Sequence, residues 1–325
     1  MMNSKNRTKI LDSRLLYLLV VISVLLLLPL FLPKNHYFLH IAIMTSISII
    51  MSCGWNILSG LTGQTSFAHC LFFGVGAYTT ALLWLSGIHP YWTLPLAGVA
   101  AAIYSIFVGI PCLRLRGPFF VIGTLAAGEV TRIIANNFEM IGGAAGLSIP
   151  PPSSYSKLPH YYVTLICALC AIAISAKVIR SRFGMALFAI RENYEAAETV
   201  GIDTTRFQIY ALLISSLVVG IAGSLYVQYI FYALPDKVFG FDTSISMILM
   251  TVIGGIGTLW GPVLGAILFF ILQEFLLGYF PNLHLGIYGV ILMVLVLFEP
   301  GGILNFLTGL RFRSFYGLTR SQENQ

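Results

Sequence analysis

The chain consists of long apolar runs separated by short polar segments. No Lys, Arg, Asp or Glu occurs between Asn35 and Leu113. A helix needs about 20 apolar residues to cross the hydrocarbon core of a bilayer, so this stretch alone has room for about three crossings. Runs of this kind are 15–33, 38–58, 66–86, 92–113, 117–138, 159–176, 207–234, 243–273 and 281–298. The pattern predicts an all-α polytopic membrane protein.

The positions of Lys and Arg predict how these runs are oriented. Basic residues collect on the cytoplasmic side of a membrane, and the segments at both ends of the chain are basic. The N- and C-termini are therefore predicted to be cytoplasmic, which requires an even number of crossings. The number of apolar runs is odd, so one run is predicted not to cross simply.

Run 243–273 is the best candidate for this exception, because GGIGTLWGP (Gly254–Pro262) interrupts it. Broken helices persist in a membrane only where protein or a water-filled cavity covers the freed backbone. We predict about eight transmembrane helices plus a broken, re-entrant segment, whose two half-helices return to the outer face. This topology puts 14 Lys and Arg inside and 3 outside and leaves Arg132 in the membrane.

The runs are predicted to form a single unit. Residues 1–310 form one transmembrane domain with a cytoplasmic loop at about 178–206, and residues 311–325 form a cytoplasmic tail. Segment 15–33 is long and no small-residue cleavage site follows it. We therefore interpret it as an uncleaved first span rather than a signal peptide.

Composition and charge narrow the classes of function. Charged residues make up 9% of the 325 positions, against about 25% in soluble domains. The net charge is +6, but most Lys and Arg flank apolar runs, which favours membrane topology over nucleic-acid binding. The cysteines lie inside apolar runs and lack the second Cys or His pair of a metal site; they are Cys53, Cys70, Cys112, Cys167 and Cys170.

Polar residues inside or beside apolar runs are candidates for the translocation pathway or its scaffold. They are Gln64, Ser66, His69, Glu129, Arg132, Asn136 and Asn137. The first three lie in GLTGQTSFAH, which forms either a plain cytoplasmic turn or a bend into the pathway. For His69 we favour a packing role over proton transfer. Glu129 and Arg132 share a helix face, and although ionisable groups at membrane depth are often functional, we favour a structural ion pair over a substrate contact.

Small residues four positions apart predict close contacts between helices. Two such series are Gly257, Gly261 and Gly265, and Ser216, Gly220 and Ser224. Small side chains at this spacing let helix backbones approach each other in lipid. The contacts are either static packing or a moving interface.

The segment RENYEAAETVGID (Arg191–Asp203) is a polar island between two apolar runs. Glu195, Ala196 and Ala197 are strong helix formers, and Gly201 is well placed to end the helix in a left-handed cap. We predict a short cytoplasmic helix whose two alanines let another protein approach its backbone closely. The alternative is a solvated helix that contacts nothing.

Motifs for catalysis or nucleotide binding are missing from the sequence. It has no GxxxxGK[ST] phosphate loop and no HExxH metal motif, and it has no GxSxG nucleophile turn. We expect no catalytic residue, no metal and no cofactor. If ATP drives the activity of this chain, another subunit must bind it.

The EAAxxxG pattern (Glu195–Gly201) resembles the cytoplasmic loop of bacterial ABC importer permeases, which docks into a cleft on the ATP-binding subunit. Over roughly residues 40–300 the chain resembles the LivM-type permeases for branched-chain amino acids. The motifs that carry this resemblance are, in order, GWNILSGLTGQTSFAHCLFFGVGAYTTALL, LRLRGPFFVIGTLAAGEVTRIIANN, GGAAGLSIP, AIRENYEAAETVGI and GGIGTLWGPVLGA.

The resemblance implies a permease subunit in the bacterial inner membrane, with leucine, isoleucine or valine as its cargo. It implies two ATP-binding subunits, a homologous LivH-type permease and a periplasmic substrate-binding protein as partners. The residues it assigns to ATPase coupling are Glu195, Ala196, Ala197 and Gly201. Related permeases carry urea or short amides, which remains an alternative.

Two other classes of protein remain open. An ion-coupled secondary transporter needs an intramembrane carboxylate, and only Glu129 qualifies, with Arg132 beside it to neutralise the charge. A membrane enzyme needs a catalytic cluster, and the sequence contains none.

Overall fold

The computed structural model describes residues 36–151 and 156–279, together with Gly286, Gly289, Val290, Met293 and Gly302. Most of these residues are helical. The helices are α1 (His36–Trp55), α2 (His69–Leu85), α3 (Pro90–Leu113), α4 (Pro118–Asn137), α5 (Lys157–Arg180), α6 (Arg182–Glu192), α7 (Tyr194–Thr199), α8 (Thr204–Ile230), α9 (Pro235–Val238), α10 (Phe241–Gly254) and α11 (Gly261–Tyr279). The predicted all-α class is confirmed.

Short elements complete the described part of the chain. A π-helix (Asn56–Gly60) continues α1, and two 3-10 turns follow α4 (Glu139–Ile141 and Gly143–Ala145). Two strands of two residues each, β1 (Leu147–Ser148) and β2 (Tyr232–Ala233), pair antiparallel. This pair ties the segment after α4 to the segment after α8.

Local sequence accounts for several helix boundaries. Pro90 and Pro118 occupy the first turns of α3 and α4, where the missing N–H leaves no hydrogen bond unmade. Ser181 and Asp203 accept hydrogen bonds from backbone N–H groups in the first turns of α6 and α8, as preferred N-cap residues do. These two caps separate α6 and α7 from the long helices on either side.

Six segments of the described chain are long and apolar enough to cross a membrane. They are Tyr37–Gly60, Pro90–Leu113, Pro118–Asn137, Lys157–Arg180, Thr204–Ile230 and Pro235–Gly254. Helices α2 and α11 are apolar but shorter. Run 15–33 lies outside the described residues, as does run 281–298 apart from a few isolated positions. The polytopic class is confirmed, while the count of about eight crossings stays a prediction.

The described loops collect at two ends of the helix bundle. Segments 60–68, 114–117, 181–203 and 255–260 meet at one end, which we call the basic end. Arg116 lies over the Tyr194 ring there, and Arg191 binds the Gly60 carbonyl. At the opposite end, β1 pairs with β2 and the Trp84 ring contacts the Phe231 ring, with centroids 5.8 Å apart.

Helix α8 forms the centre of the bundle and packs against α1, α2 and α3. A Cβ on Gly220 would lie 2.5 Å from an alanine side chain of α3, so the two backbones are as close as glycine allows. Ser216 Oγ donates to Ser105 Oγ (3.0 Å), and Thr80 Oγ1 donates to Ser224 Oγ (2.6 Å). The predicted close contacts at Ser216, Gly220 and Ser224 are confirmed.

Helices α10 and α11 form an antiparallel hairpin around the predicted break. Gly254 faces the Gly261 carbonyl and Gly265 faces the Met250 carbonyl, so closely that a Cβ on either Gly254 or Gly265 would collide. The break in run 243–273 is confirmed, and so are the close contacts at Gly261 and Gly265.

One prediction for this hairpin is wrong and another stays a prediction. The α9 and α10 segment, Pro235–Gly254, is long and apolar enough to cross a membrane, and the turn after it lies at the basic end beside Gly60. The return of two half-helices to the outer face stays a prediction. Gly257 does not continue the glycine face of α11. It lies in the turn, with φ of +75°, and contacts Arg191 and Gly60 instead.

Candidate functional site

The polar island folds into two short helices at the basic end. Helix α6 buries Leu187 and Ile190, which lie three residues apart and share one helix face. The ring of Phe183 stacks on Phe207 of α8, with centroids 5.6 Å apart. These contacts fix α6 against the bundle and leave α7 at the surface.

Helix α7 is capped at both ends by its own sequence. Asn193 Oδ1 accepts a hydrogen bond from the Ala196 N–H (3.0 Å). At the other end, the Gly201 N–H donates to the Glu198 carbonyl and the Ile202 N–H donates to the Ala197 carbonyl, both at 3.0 Å. This is the Schellman arrangement, which needs a left-handed residue, and Gly201 has φ of +87°. The predicted left-handed cap is confirmed.

The two alanines of α7 differ in exposure. Glu195, Ala196 and Gly201 are exposed, but the Ala197 side chain is only 3% exposed and belongs to the hydrophobic core. The prediction that both alanines are open to a partner is therefore wrong for Ala197, because α7 packs this side of the helix inward. Val200, at the end of α7, is 75% exposed and adds apolar surface next to Ala196.

Side chains from elsewhere in the chain hold α7 in place. The Arg116 guanidinium carbon lies 4.2 Å from the centroid of the Tyr194 ring, and Arg116 is 3.9 Å from the Glu198 carboxylate. Glu198 also accepts a hydrogen bond from Thr204 Oγ1 (3.0 Å). Arg116 is not recognisable from sequence as a partner of α7, because 78 positions separate it from Tyr194.

Arg191 connects the loop helices to two breaks in the membrane helices. Its Nη1 donates to the Gly60 carbonyl (2.8 Å) at the end of the π-helix. The guanidinium also lies against Gly257, where a Cβ would collide with Nη1, and a Cβ on Gly63 would lie 3.0 Å from the Cγ of Arg191. Glycines from two loops therefore make room for this one side chain. From sequence, Arg191 contributes only to the predicted topology.

Asn56 links the same two breaks from the other side. Its Nδ2 donates to the Thr258 carbonyl (2.9 Å), and its Oδ1 accepts from the Gly257 N–H (2.8 Å). Both contacts lie in the turn between α10 and α11. Asn56 is the first residue of the π-helix, and π-helical turns occur frequently at functional sites. The turn is thus bound to α1 by Asn56 and to α6 by Arg191.

The predicted polar group in GLTGQTSFAH lies in the segment between the π-helix and α2. Ser66 and His69 are buried in the bundle. The Ser66 carbonyl accepts from Trp55 Nε1 (2.9 Å), and His69 Nε2 lies 2.8 Å from Ser215 Oγ. Ser215 donates its hydroxyl proton to the Gly54 carbonyl, so His69 Nε2 acts as the donor to Ser215. Gln64 is half-buried, and its Oε1 has no hydrogen-bond partner among the described residues.

Glu129, Arg132 and Asn136 come together on one face of α4, towards the opposite end. Arg132 binds the Glu129 carboxylate through Nε (3.0 Å) and Nη2, and it binds Asp236 through Nη1. Asn136 Nδ2 also donates to Asp236 (2.9 Å). We call these four residues the ion cluster. Asn137 is not part of it, because its side chain donates to the Ile133 carbonyl of its own helix.

Asp236 was missing from the sequence-based candidates. It lies 104 positions from Arg132, and no local pattern connects the two residues. The predicted pair of Glu129 and Arg132 is present and is one part of a larger cluster.

The arrangement combines helices of membrane-spanning length with a capped polar helix at the basic end. No group of three or more His, Cys, Asp or Glu side chains within the described ranges is placed to hold a metal ion. The architecture is that of a multi-pass helical membrane protein in which a surface loop contacts the breaks in two of its membrane helices. Known proteins that resemble this chain identify its family.

The chain belongs to the family described as the permease component of the branched-chain amino acid transport system, whose pattern it matches over residues 37–297. It is 31% identical over 295 residues to the high-affinity branched-chain amino acid transport permease LivM of Salmonella typhimurium. That match covers 81% of this chain and 69% of the relative. LivM of Escherichia coli K12 matches with the same identity and the same coverage.

The chain is also similar to the other permease type of this family. It is 24% identical over 279 residues to LivH of Escherichia coli K12, a match that covers 78% of this chain and 90% of LivH. No solved structure matches the chain. The chain is thus the permease component of a transporter complex. Members of this family are not themselves ATPases.

Proposed function

We propose that this chain is the transmembrane permease subunit of an ATP-driven importer that moves leucine, isoleucine and valine into the cytoplasm. Its partners are two ATP-binding subunits, a homologous LivH-type permease and a periplasmic substrate-binding protein. It resides in the bacterial inner membrane with both termini in the cytoplasm. It carries no cofactor, because the partner subunits bind the ATP.

The observation that carries this proposal is the geometry of α7. The helix is capped at both ends, so its shape is fixed before any partner binds. It presents Glu195, Ala196 and the apolar side chain of Val200 outward. A small side chain between an acidic and an apolar one suits close contact with a basic, partly apolar cleft. Glu195 would meet the basic groups, and Ala196 would let the two backbones approach.

Movement of α7 would reach the membrane helices through Arg191. ATP-driven closure of the ATPase pair shifts α7, and α6 follows because one residue, Asn193, separates the two helices. Arg191 lies at the end of α6 and is bonded to the π-helix of α1. Asn56 then joins that π-helix to the turn between α10 and α11. A displacement at the surface would thereby reach two broken spans that lie next to each other.

Substitution of Ala196 by Arg tests the docking role. The Ala196→Arg chain should insert normally and keep its partner permease, because this side chain is exposed. The affinity for the ATP-binding subunit should fall roughly 30-fold, since loss of a central interface contact that contributes about 2 kcal/mol changes Kd by that factor. Affinity purification from native membranes, with quantitative mass spectrometry of the partners, measures both quantities.

Two control variants separate docking from folding. Thr205→Arg places the same charge at an exposed position at the basic end, outside α7, and should retain the ATPase. Ala197→Arg forces a charge into a buried position and should lower the yield of the folded chain itself. Normal ATPase recovery with Ala196→Arg would refute the docking role of α7.

A further inference from the structure

A cavity of about 270 Å³ lies beside the ion cluster, between α4 and the segments that begin α2 and α10. Phe67, Leu125, Phe239 and Phe241 form its apolar walls, and Glu129 is the one charged side chain that lines it within the described part of the chain. Leu125 and Phe241 are 42% and 44% exposed, so the cavity opens to the outside of this chain. Drug-sized ligands occupy about 300–1,000 Å³, and this cavity therefore suits a smaller molecule.

The walls of the cavity are held in place by contacts from three elements. The Phe67 N–H donates to Thr124 Oγ1 of α4 (3.1 Å), and its carbonyl accepts from Ser244 Oγ of α10 (2.6 Å). The Phe67 ring stacks on Phe241, with centroids 5.4 Å apart. On the other side, the Phe239 ring stacks on Tyr78, with centroids 5.5 Å apart. The apolar surface is thus formed before any ligand arrives, which lowers the entropic cost of binding.

The ion cluster adjoins the cavity through Glu129, the member of the cluster that lines it. The ion cluster contains one guanidinium and two carboxylates, so its formal charge is −1. Arg132 uses three of its N–H groups for Glu129 and Asp236, and a guanidinium has five. Glu129 therefore offers a carboxylate to an ammonium group in the cavity, and Arg132 beside it has unused donors for a carboxylate.

We propose that this cavity is a transient binding site for a zwitterionic aliphatic amino acid on its way through the transporter. The aliphatic side chain lies against the four apolar walls. The ammonium group is bound by Glu129, and the carboxylate by Arg132 next to it. This assignment rests on the proposed function and adds a selectivity step to it: the permease itself distinguishes aliphatic amino acids from charged ones and from urea or amides.

Protection of an introduced cysteine tests this site without relying on transport. Leu125→Cys puts a thiol into the cavity wall, and its alkylation rate by a maleimide can be measured in the complete transporter complex in proteoliposomes. Because a bound ligand slows the reaction by a factor of 1 + [L]/Kd, leucine at about nine times its Kd should slow alkylation roughly tenfold. Isoleucine and valine should protect similarly, whereas lysine, glutamate, urea and acetamide should not protect.

Control variants exclude indirect effects. Val130→Cys is a matched control, because Val130 lies on the same helix with 55% exposure but does not line the cavity, and leucine should leave its alkylation rate unchanged. Glu129→Gln, combined with Leu125→Cys, removes one charged partner of the ammonium group and should weaken protection roughly tenfold. If Leu125→Cys does not assemble, Phe241→Cys reports on the opposite wall.

The outcomes separate this site from the proposed function. Leucine uptake by the wild-type complex in the same vesicles tests the import function alone. Equal protection by all the ligands, or none by leucine, would overturn the cavity assignment even where uptake is normal. A lipid chain or a side chain of the partner permease in the cavity would give that result, because neither is displaced selectively by aliphatic amino acids.

Discussion

Arg191 makes the contact through which α6 reaches the broken membrane helices. It binds the Gly60 carbonyl and occupies space that Gly63 and Gly257 leave free. A glycine with φ of +75° at position 257 both permits the turn and admits the guanidinium. An alanine there would be strained and would collide with Arg191.

Removing the guanidinium should uncouple ATP hydrolysis from transport. Arg191→Met keeps the aliphatic stem that packs on Gly63 but loses the hydrogen bond to Gly60. A hydrogen bond from a charged group contributes about 1.5–3 kcal/mol, so we expect leucine uptake per ATP hydrolysed to fall roughly tenfold while the complex still assembles. Parallel uptake and phosphate-release assays measure this ratio.

Arg182→Met is the matched control for this variant. Arg182 begins the same helix and is exposed, and its substitution should leave the ratio unchanged. An unaltered ratio in Arg191→Met would mean that Arg191 only stabilises the loop.

Sequence alone predicts residue roles that depend on near neighbours. The left-handed conformation of Gly201 followed from its place after a helix, and the pairing of Glu129 with Arg132 followed from their spacing. The burial of Ala197 and the participation of Asp236 depend on tertiary packing, since α7 folds back on the bundle and Asp236 arrives from a distant segment. No local pattern contains that information.

At the scale of elements, α7 is short enough for its caps to determine its stability. It has six residues, far fewer than the ~12–15 that an isolated helix needs. Asn193, Gly201 and the buried Ala197 therefore fix its conformation. Its stability should be sensitive to each of them.

Gly201→Ala should weaken ATPase docking without altering the docking surface. A Cβ at this position would meet nothing within 4 Å, so the expected effect is backbone strain alone, about 1–2 kcal/mol in the left-handed region. Affinity for the ATP-binding subunit, measured by titration of the purified permease pair, should fall between roughly 5-fold and 30-fold. The affinity of the Gly201→Asn variant should fall less, because Asn tolerates the left-handed conformation better than Ala does. Equal affinities for wild type and both variants would exclude a preformed α7 as the docking element.

The breaks between elements were predictable because Gly and Pro act locally. The interruptions after α1 and after α10 were both expected from sequence. The contact of the second turn with Gly60 was not, because it depends on how the hairpin packs. Gly254 and Gly265 allow α10 and α11 to stay in contact up to the basic end.

At the scale of the whole molecule, the charge pattern alone leaves the hairpin ambiguous. A re-entrant segment that returns to the outer face and a hairpin of two full crossings place the rest of the chain on the same sides. Both satisfy the distribution of Lys and Arg. The structure adds that the turn contacts Gly60 and Arg191.

Cysteine accessibility tests the orientation of the two ends. Thr205→Cys, exposed at the basic end outside α7, should react with a membrane-impermeant maleimide only after the inner membrane is opened. Ser86→Cys, at the opposite end and exposed, should react once the outer membrane is permeable. The unsubstituted chain provides the background for its own cysteines. The reverse pattern would invert the proposed topology.

The proposed function of this chain is the import of branched-chain amino acids driven by ATP hydrolysis. Its most direct test is uptake of labelled leucine by the purified complex in proteoliposomes, with ATP on the side of α7 and the binding protein on the other side. We predict uptake that requires ATP and persists when ionophores collapse proton and sodium gradients. Uptake by the chain alone driven by such a gradient, or ATP-dependent uptake of urea or amides but not of leucine, would contradict the account.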